Sequence, residues 1–185
     1  MPKSSISSNW PYCDSSSPRH LAEERDSCGV GFLAHLQGDR SNWVLKQALR
    51  GLSCMEHRGG CGGDSDSGDG AGILCEIPWS YLRVIWPDAF LSPLGEKGLG
   101  MIFMPKDKDL RTAAIKICNE EAAKLGLKSH GWRNVPVDED VLGELAKGNA
   151  PHISQWLVSG NEKGQDLDRK LFRLRRIIGK RIKKD

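Results

Sequence analysis

The chain has 185 residues, of which 38% are hydrophobic and 28% charged, and a formal net charge of +3 at neutral pH. This length suits one domain with a sizeable core, and the composition is typical of a globular protein rather than a disordered one. No stretch approaches the ~20 apolar residues of a membrane span, and the small net charge gives no global electrostatic case for nucleic-acid binding. The six cysteines form no C-x-x-C pair and no Cys/His spacing suited to zinc, so we expect free thiols in a reducing compartment.

The first 27 residues are rich in serine, proline and charge and have no apolar period. We therefore expect a leader or arm outside the core. The residues Val30, Phe32, Ala34 and Leu36 then alternate along the chain, which predicts a first strand over 30–36. Cys28 would stand at the head of that strand.

A helix is predicted next, with Ser41 as its N-cap and an end near Met55. Residues 59–72 are too rich in glycine for a helix or a strand, which indicates a long, specialised loop. A second short strand is predicted over 73–77, ended by Pro78.

The second half of the chain is predicted to alternate strands and helices. The predicted elements, in order, are a strand at 99–104, a helix capped by Asp107 or Asp109 and closed by Gly126, a strand at about 129–135, a short helix at 138–147, a strand at 152–158 and a last helix from about Asp166. Composition and periodicity alone thus predict a mixed α and β fold.

Three motifs occur in the first half: C-G-V-G-F from Cys28, C-M-E-H-R-G-G from Cys54 and D-x-D-x-G-D-G-A-G from Asp64. In this order and at these separations they resemble the opening of the class II glutamine amidotransferase domain of glutamate synthase, most like the ferredoxin-dependent type. Further similar segments are G-W-R-x-V-P-V from Gly131 and P-x-I-x-Q from Pro151, so the resemblance runs from about residue 28 to 182.

The resemblance implies an α+β fold, an incomplete αββα sandwich of the N-terminal-nucleophile hydrolase type. It also implies two parts, a propeptide-like leader over residues 1–27 and the N-terminal portion of the amidotransferase domain over residues 28–185. The function that it implies is the glutaminase step of a glutamate synthase, which supplies ammonia for glutamate synthesis from 2-oxoglutarate.

Cys28 is the catalytic residue that the resemblance implies. Once the leader is removed, the α-amino group of the same residue has an ordinary pKa of about 7.7 to 8.0, so it is an available base near neutral pH. An isolated cysteine at a strand start is more often a small buried hydrophobe, and the other five cysteines are interpreted in that way.

Arg58 is the substrate-binding candidate, because its guanidinium fork suits a carboxylate or main-chain carbonyls beside the nucleophile. An equally weighted interpretation is that Arg58 pins the glycine-rich loop to Asp64, Asp66 or Asp69. His57 is interpreted as structural, since an N-terminal amine makes a second base unnecessary.

Two other interpretations of residues 64–72 fit less well. A calcium loop needs acids at positions 1, 3 and 5 with glycine at 6, and here the glycine and the third acid are out of step. A dinucleotide fingerprint would open a helix, whereas these glycines precede a predicted strand. No metal site is predicted.

The tail from Arg169 onward holds nine of the 27 basic side chains, with apolar residues at helical spacing between them. The favoured interpretation is a helix that docks its apolar face and solvates its charges. An anionic partner, such as nucleic acid or a membrane surface, is the alternative.

Two later motifs of the family, an R-F-S-T-N-T-like substrate clamp and an H-N-G-E-I-N-like oxyanion segment, do not occur in these residues. The candidates Asn134 and Asn149 lack the following glycine. Loss of an oxyanion donor commonly costs about 10² to 10³ in rate, so little glutaminase activity is expected of the chain alone.

The expected small-molecule partner is glutamine, and the expected protein partner is the remaining glutamate synthase chain. A membrane partner is not expected, and nucleic acid is disfavoured. In the full-length family FMN and an iron-sulfur cluster bind, and neither cofactor is expected in this segment. The expected compartment is the cytoplasm, or the plastid stroma in a plant or alga. A non-catalytic remnant or interaction module is the alternative to an enzyme part.

Overall fold

A computed structural model describes residues 29–55, 59–60, 63–64, 66–68, 70–91 and 96–183. The chain divides into two compact units, a first unit of residues 1–75 with 139–149 and a second unit of residues 76–138 with 150–185. Helices and a small antiparallel sheet together make the fold α+β, as predicted.

The regular elements of the described residues are helices and strands, accompanied by two 3-10 turns at Pro87–Phe90 and Glu139–Val141. In chain order they are α1 (Asn42–Cys54), α2 (Trp79–Ile85), β1 (Glu96–Met104), α3 (Lys108–Lys124), β2 (Lys128–Asn134), α4 (Glu144–Asn149), β3 (His152–Gly160) and α5 (Gln165–Ile182).

Helix α1 confirms the predicted first helix and its cap. The Ser41 side-chain oxygen accepts a hydrogen bond from the Trp43 backbone N–H at 3.1 Å. This satisfies one of the N–H groups that have no partner inside a first helical turn. The helix ends at Cys54, one residue before the predicted end.

The predicted strands at 30–36 and 73–77 are wrong in this structure. Neither segment has strand geometry, and the apolar side chains of Val30, Phe32 and Leu36 are 94–96% exposed. Alternation of apolar residues predicts a strand only where a neighbouring strand completes the hydrogen bonds and a core covers one face. The three-stranded sheet takes its strands from elsewhere, because β1, β2 and β3 all lie in the second unit.

The three strands of the second unit confirm the other strand predictions. They form one antiparallel sheet in the order β1-β3-β2, with β3 central. The register pairs Leu99 with Leu157 and Trp132 with Trp156, and β2 has an irregularity between Ser129 and Gly131.

Helix α3 begins and ends where the sequence predicts. The Asp107 carboxylate accepts hydrogen bonds from the backbone N–H groups of Asp109 and Leu110 at 2.9 and 2.8 Å. Past the other end, Gly126 has a φ of +68° and donates its N–H to the Ala123 carbonyl. Glycine takes this left-handed conformation without steric cost, so it closes the helix.

Helices α3 and α5 cover one face of the sheet, and the core of the second unit lies between these two helices and that face. Cys118 and Ala122 come from α3, Trp156 and Val158 from β3, and Leu174 from α5; all are at most 3% exposed. The predicted last helix therefore docks its apolar face as the favoured interpretation expected. Burial of a side chain such as Val158 or Leu174 stabilises the unit by about 1.5–3 kcal/mol.

The segment 79–90 packs near the other face of the sheet, and no element was predicted there. The Lys97 ammonium lies 5.5 Å from the Trp79 ring centre, and the Trp86 ring lies beside Gly131. The same strand face of β1 carries Met101 and Phe103, which are 49% and 66% exposed. This face is therefore only partly covered by the described residues.

The predicted short helix at 138–147 forms as a 3-10 turn, Glu139–Val141, followed by α4. Among the described residues, no helix is both long enough and apolar enough to span a membrane.

Candidate functional site

The predicted site residues Cys28 and Arg58, together with His57, lie outside the described residues. The structure describes the residues that precede and follow them in the sequence. The segment 29–34 follows Cys28 as exposed chain without helix or strand, and α1 delivers the chain to Met55, three residues before Arg58. The glycine-rich loop then follows from Gly59.

Within the loop, Asp64 and Ser67 form a tight polar turn. One carboxylate oxygen of Asp64 accepts the Ser67 backbone N–H at 2.8 Å, and the other accepts the Ser67 hydroxyl at 2.7 Å. Ser67 is buried, at 9% exposure. Two hydrogen bonds from one carboxylate to one residue hold Asp64 and Ser67 against each other.

The same two side chains also cap α4, about eighty residues further along the chain. The second Asp64 oxygen accepts the Leu145 N–H at 2.9 Å, and the Ser67 hydroxyl accepts the Ala146 N–H at 3.1 Å. Both N–H groups belong to the first turn of the helix, where no intrahelical acceptor exists. We call these contacts, together with Gly143, the glycine-loop latch.

The latch changes the acidity of its carboxylate. Hydrogen bonds from the Leu145 backbone, the Ser67 hydroxyl and the Ser67 backbone lower the pKa of Asp64 from 3.8 to about 2. Hydrogen-bond donors to a carboxylate stabilise its charged form, so Asp64 is ionised at pH values well above 2.

The hydrogen bonds of Asp64 argue against the calcium interpretation, because its carboxylate already accepts three of them inside the protein. Within the described part of the chain, no group of three or more histidine, cysteine, aspartate or glutamate side chains is placed to hold a metal ion. The interpretation of Arg58 as a partner of Asp64, Asp66 or Asp69 stays a prediction.

Gly143, the residue before α4, lies close to Asp64 and Ser67. A Cβ atom at this position would lie 2.6 Å from the Ser67 hydroxyl oxygen, 2.7 Å from the Ser67 nitrogen and 2.8 Å from an Asp64 oxygen. Contacts below 3.0 Å force atoms to move, and one of these atoms is backbone. Only glycine fits at this position without displacing the loop.

The latch residues Ser67 and Gly143 were missed by the sequence predictions. The spacing Asp64-x-x-Ser67 is a turn signal, because an aspartate oxygen readily accepts a backbone N–H a few residues ahead. Gly143 carries no comparable signal, since its partners lie far away in the chain.

In the second unit, two segments of the resemblance meet on neighbouring strands. The Trp132 and Trp156 rings stack with centres 4.9 Å apart and planes 7° apart. One residue along, the Arg133 guanidinium donates to the Gln155 side-chain oxygen at 2.8 Å. Both segments were identified as motifs from the sequence, and the pairing of β2 with β3 places them side by side in the sheet.

A further polar contact on this sheet joins His130 and Ser159, whose side chains lie 2.7 Å apart. Burial, and then the neighbouring charge of Lys128, lower the pKa of His130. The lowered pKa favours the neutral imidazole, which suits a hydrogen bond to the buried Ser159 hydroxyl.

The three described cysteines differ in their burial. Cys118 lies in the core, where burial raises the pKa of its thiol to about 11, whereas Cys54 and Cys75 are exposed. Cys118 is the small buried hydrophobe that the sequence predicted, whereas the same prediction is wrong for Cys54 and Cys75, whose side chains are exposed.

Comparison with known proteins identifies a match over residues 28–185 to the family of class-II glutamine amidotransferases. The chain is 47% identical over 169 residues to ferredoxin-dependent glutamate synthase 2 of Synechocystis sp.. This alignment covers 89% of the present chain and 11% of the Synechocystis protein. It is 39% identical to ferredoxin-dependent glutamate synthase 1 of Arabidopsis thaliana, over 88% of this chain and 10% of that protein. A third relative, the ferredoxin-dependent glutamate synthase of Antithamnion sp., is 42% identical over 89% of the chain and 11% of its own length.

The chain spans about a tenth of the length of these relatives. Because the family match covers most of the chain and starts at the residue where the first motif begins, the predicted resemblance is confirmed. The chain belongs to the class-II glutamine amidotransferase family, and it is similar to the N-terminal region of ferredoxin-dependent glutamate synthases.

Proposed function

We propose that this chain contributes the nucleophile of a glutaminase site, with Cys28 as that nucleophile. The observation that carries the proposal is the family match that begins at Cys28, together with the three motifs in order. In the glycine-rich loop that follows Arg58 in the sequence, the latch holds Asp64 and Ser67.

In the proposed reaction, the Cys28 thiolate attacks the side-chain carboxamide carbon of glutamine. The C–N bond breaks, the α-amino group of Cys28 passes a proton to the leaving ammonia, and a γ-glutamyl thioester remains. Water then hydrolyses the thioester to glutamate and restores the thiol. Residues 1–27 act in this proposal as a propeptide whose removal exposes the amine.

Arg58 is proposed to bind beside Cys28 and to orient the substrate through its planar donor fork. A second arginine and the oxyanion donors come from polypeptide other than these 185 residues. In a glutamate synthase the ammonia would serve glutamate synthesis from 2-oxoglutarate, with FMN and the iron-sulfur cluster bound outside this segment, in the cytoplasm or the plastid stroma.

The αββα sandwich is likewise a proposal. One antiparallel sheet with two helices on one face would form one half of such a sandwich. The partly covered opposite face, with Met101 and Phe103, is where a second sheet would pack.

Two measurements test the nucleophile. Intact mass of the purified protein is expected to show a product that begins at Cys28; a stable chain that retains residues 1–27 contradicts N-terminal-amine catalysis. Treatment with an electrophilic glutamine analogue is then expected to add one adduct, at Cys28. Cys28→Ala removes the adduct, whereas Cys54→Ala and Cys75→Ala, which change exposed thiols, leave it.

Glutamine hydrolysis tests completeness separately. The chain alone is expected to turn over negligibly, and a polypeptide with the missing arginine and Asn-Gly segments is expected to restore the activity. Robust turnover by the chain alone that Cys28→Ala abolishes would show that these segments are dispensable. Turnover that survives Cys28→Ala would contradict Cys28 as the nucleophile, whereas no restoration by that polypeptide would favour the non-catalytic alternative.

A further inference from the structure

Helix α5 has an outer face that the core does not use. The inner face packs Leu167 and Leu174, at 4% and 3% exposure, against the sheet. The opposite side carries five exposed basic residues, which we call the basic stripe. They are Arg169, Arg173, Arg176, Lys180 and Lys183.

Basic residues at the margins of α5 are neutralised by the fold. Lys170 pairs with Glu162, and Arg181 pairs with Glu120 at 2.7 Å and with Glu121 at 2.6 Å. These cations lie close to the core, where an unpaired charge is costly. The fold thus supplies acids to the basic residues that it partly buries.

The basic stripe receives almost no such compensation. Arg169 pairs with Asp166 at 3.2 Å in an exposed contact, and the other four residues pair with no acid among the described residues. No aspartate or glutamate occurs from Arg169 to Lys183. Neighbours along the stripe are three or four residues apart, the spacing at which like charges on a helix repel.

The spacing also determines the shape of the stripe. Steps of four, three, four and three residues average about 3.5, which keeps the side chains on one line that a second helix can follow. The stripe is about 21 Å long at about 1.5 Å per residue. Phe172, 64% exposed and four residues before Arg176, provides an apolar contact at its edge.

The charges at the beginning of the helix favour a protein partner over a nucleic acid. Asp166 and Asp168 are exposed in the first turn, beside the start of the stripe. A polyphosphate backbone would meet these acids with repulsion, whereas a peptide can place a basic residue opposite them. Arginine, three of the five stripe residues, binds carboxylates through its planar fork.

We propose that the basic stripe of α5 is a docking surface for an acidic, helical protein segment. That segment presents glutamates or aspartates at alternating three- and four-residue spacing and an apolar side chain that contacts Phe172. The surface is independent of the proposed glutaminase chemistry.

The test measures binding of the 185-residue chain to a labelled, alanine-based helical peptide of about 20 residues by fluorescence anisotropy. The peptide carries glutamates at four-three spacing and one leucine, and a matched peptide has glutamine at each glutamate position. The stripe variant is Arg173→Gln with Arg176→Gln and Lys180→Gln. Its control, Lys46→Gln with Arg50→Gln and Lys116→Gln, removes the same charge from exposed positions elsewhere.

The acidic peptide is expected to bind with an affinity that falls as the salt concentration rises, whereas the glutamine peptide is not expected to bind. The stripe variant should lose about tenfold in affinity, consistent with three exposed ion pairs, while the control changes less than about twofold. An equal loss in both variants would show a net-charge effect and overturn the proposal. So would equal binding of the two peptides, or tighter binding of a DNA duplex than of the acidic peptide. Circular dichroism establishes that both variants are folded.

Discussion

Replacement of Gly143 by alanine tests whether the glycine-loop latch depends on close approach. The new Cβ would lie 2.6–2.8 Å from Ser67 and Asp64 atoms, one of which is a backbone nitrogen that cannot rotate away. Overpacking of this kind commonly costs about 1–3 kcal/mol. Native-state hydrogen exchange at the Leu145 and Ala146 amides, which the latch binds, should therefore accelerate roughly 5- to 150-fold.

Gly148 provides a matched control in α4. A Cβ there meets nothing within 4 Å, and its φ is not positive. Alanine favours a helix over glycine by up to about 1 kcal/mol, so Gly148→Ala should leave exchange unchanged or slow it. The latch geometry is refuted if Gly143→Ala leaves the exchange of both amides unchanged, or if Gly148→Ala accelerates exchange as much as Gly143→Ala does.

Three further predictions concern acidity, packing and the tryptophan pair. The folded pKa of Asp64 is about 2, below its ordinary 3.8, so the latch is fully stabilising above about pH 4 and is lost as pH falls through about 2. Asp64→Asn should therefore remove this pH dependence from the exchange of the Leu145 and Ala146 amides, and an unchanged dependence would show that another group causes it. Leu174→Ala should lower the free energy of unfolding in urea titrations by about 2–5 kcal/mol, whereas Phe172→Ala on the exposed face should change it by less than about 0.5 kcal/mol. Equal effects of the two variants would contradict the assignment of a buried and an exposed face to α5. Trp132→Leu should lower the free energy of unfolding in urea titrations by at least about 0.5–1.5 kcal/mol, the contribution of a stacked aromatic pair, and an unchanged free energy would contradict the stacking.

Elements that carry their own boundary signals were predicted well from the sequence. Ser41 and Asp107 cap helices through hydrogen bonds to residues two or three positions ahead, and Gly126 ends α3 through its own backbone conformation. Such interactions are local, so the sequence around them contains all the partners that they need.

Strands depend on partners that can be remote in the sequence, and this separates the correct strand predictions from the wrong ones. β1 forms because β3 lies beside it, more than fifty residues later in pairs such as Leu99 with Leu157. Val30 and Phe32 have the same apolar alternation but no neighbouring strand in the described structure. Alternation describes the faces of a strand and carries no information about its neighbours.

The sequence by itself determined the family of this protein, because three short motifs in order carry it, and it determined Cys28 and Arg58 as the residues to test. Only the tertiary structure decided that Asp64 and Ser67 cap a helix some eighty residues away and that Gly143 must lack a side chain. The reason is physical: a motif records the residue types that a site uses, whereas a contact between distant residues exists only after the chain has folded.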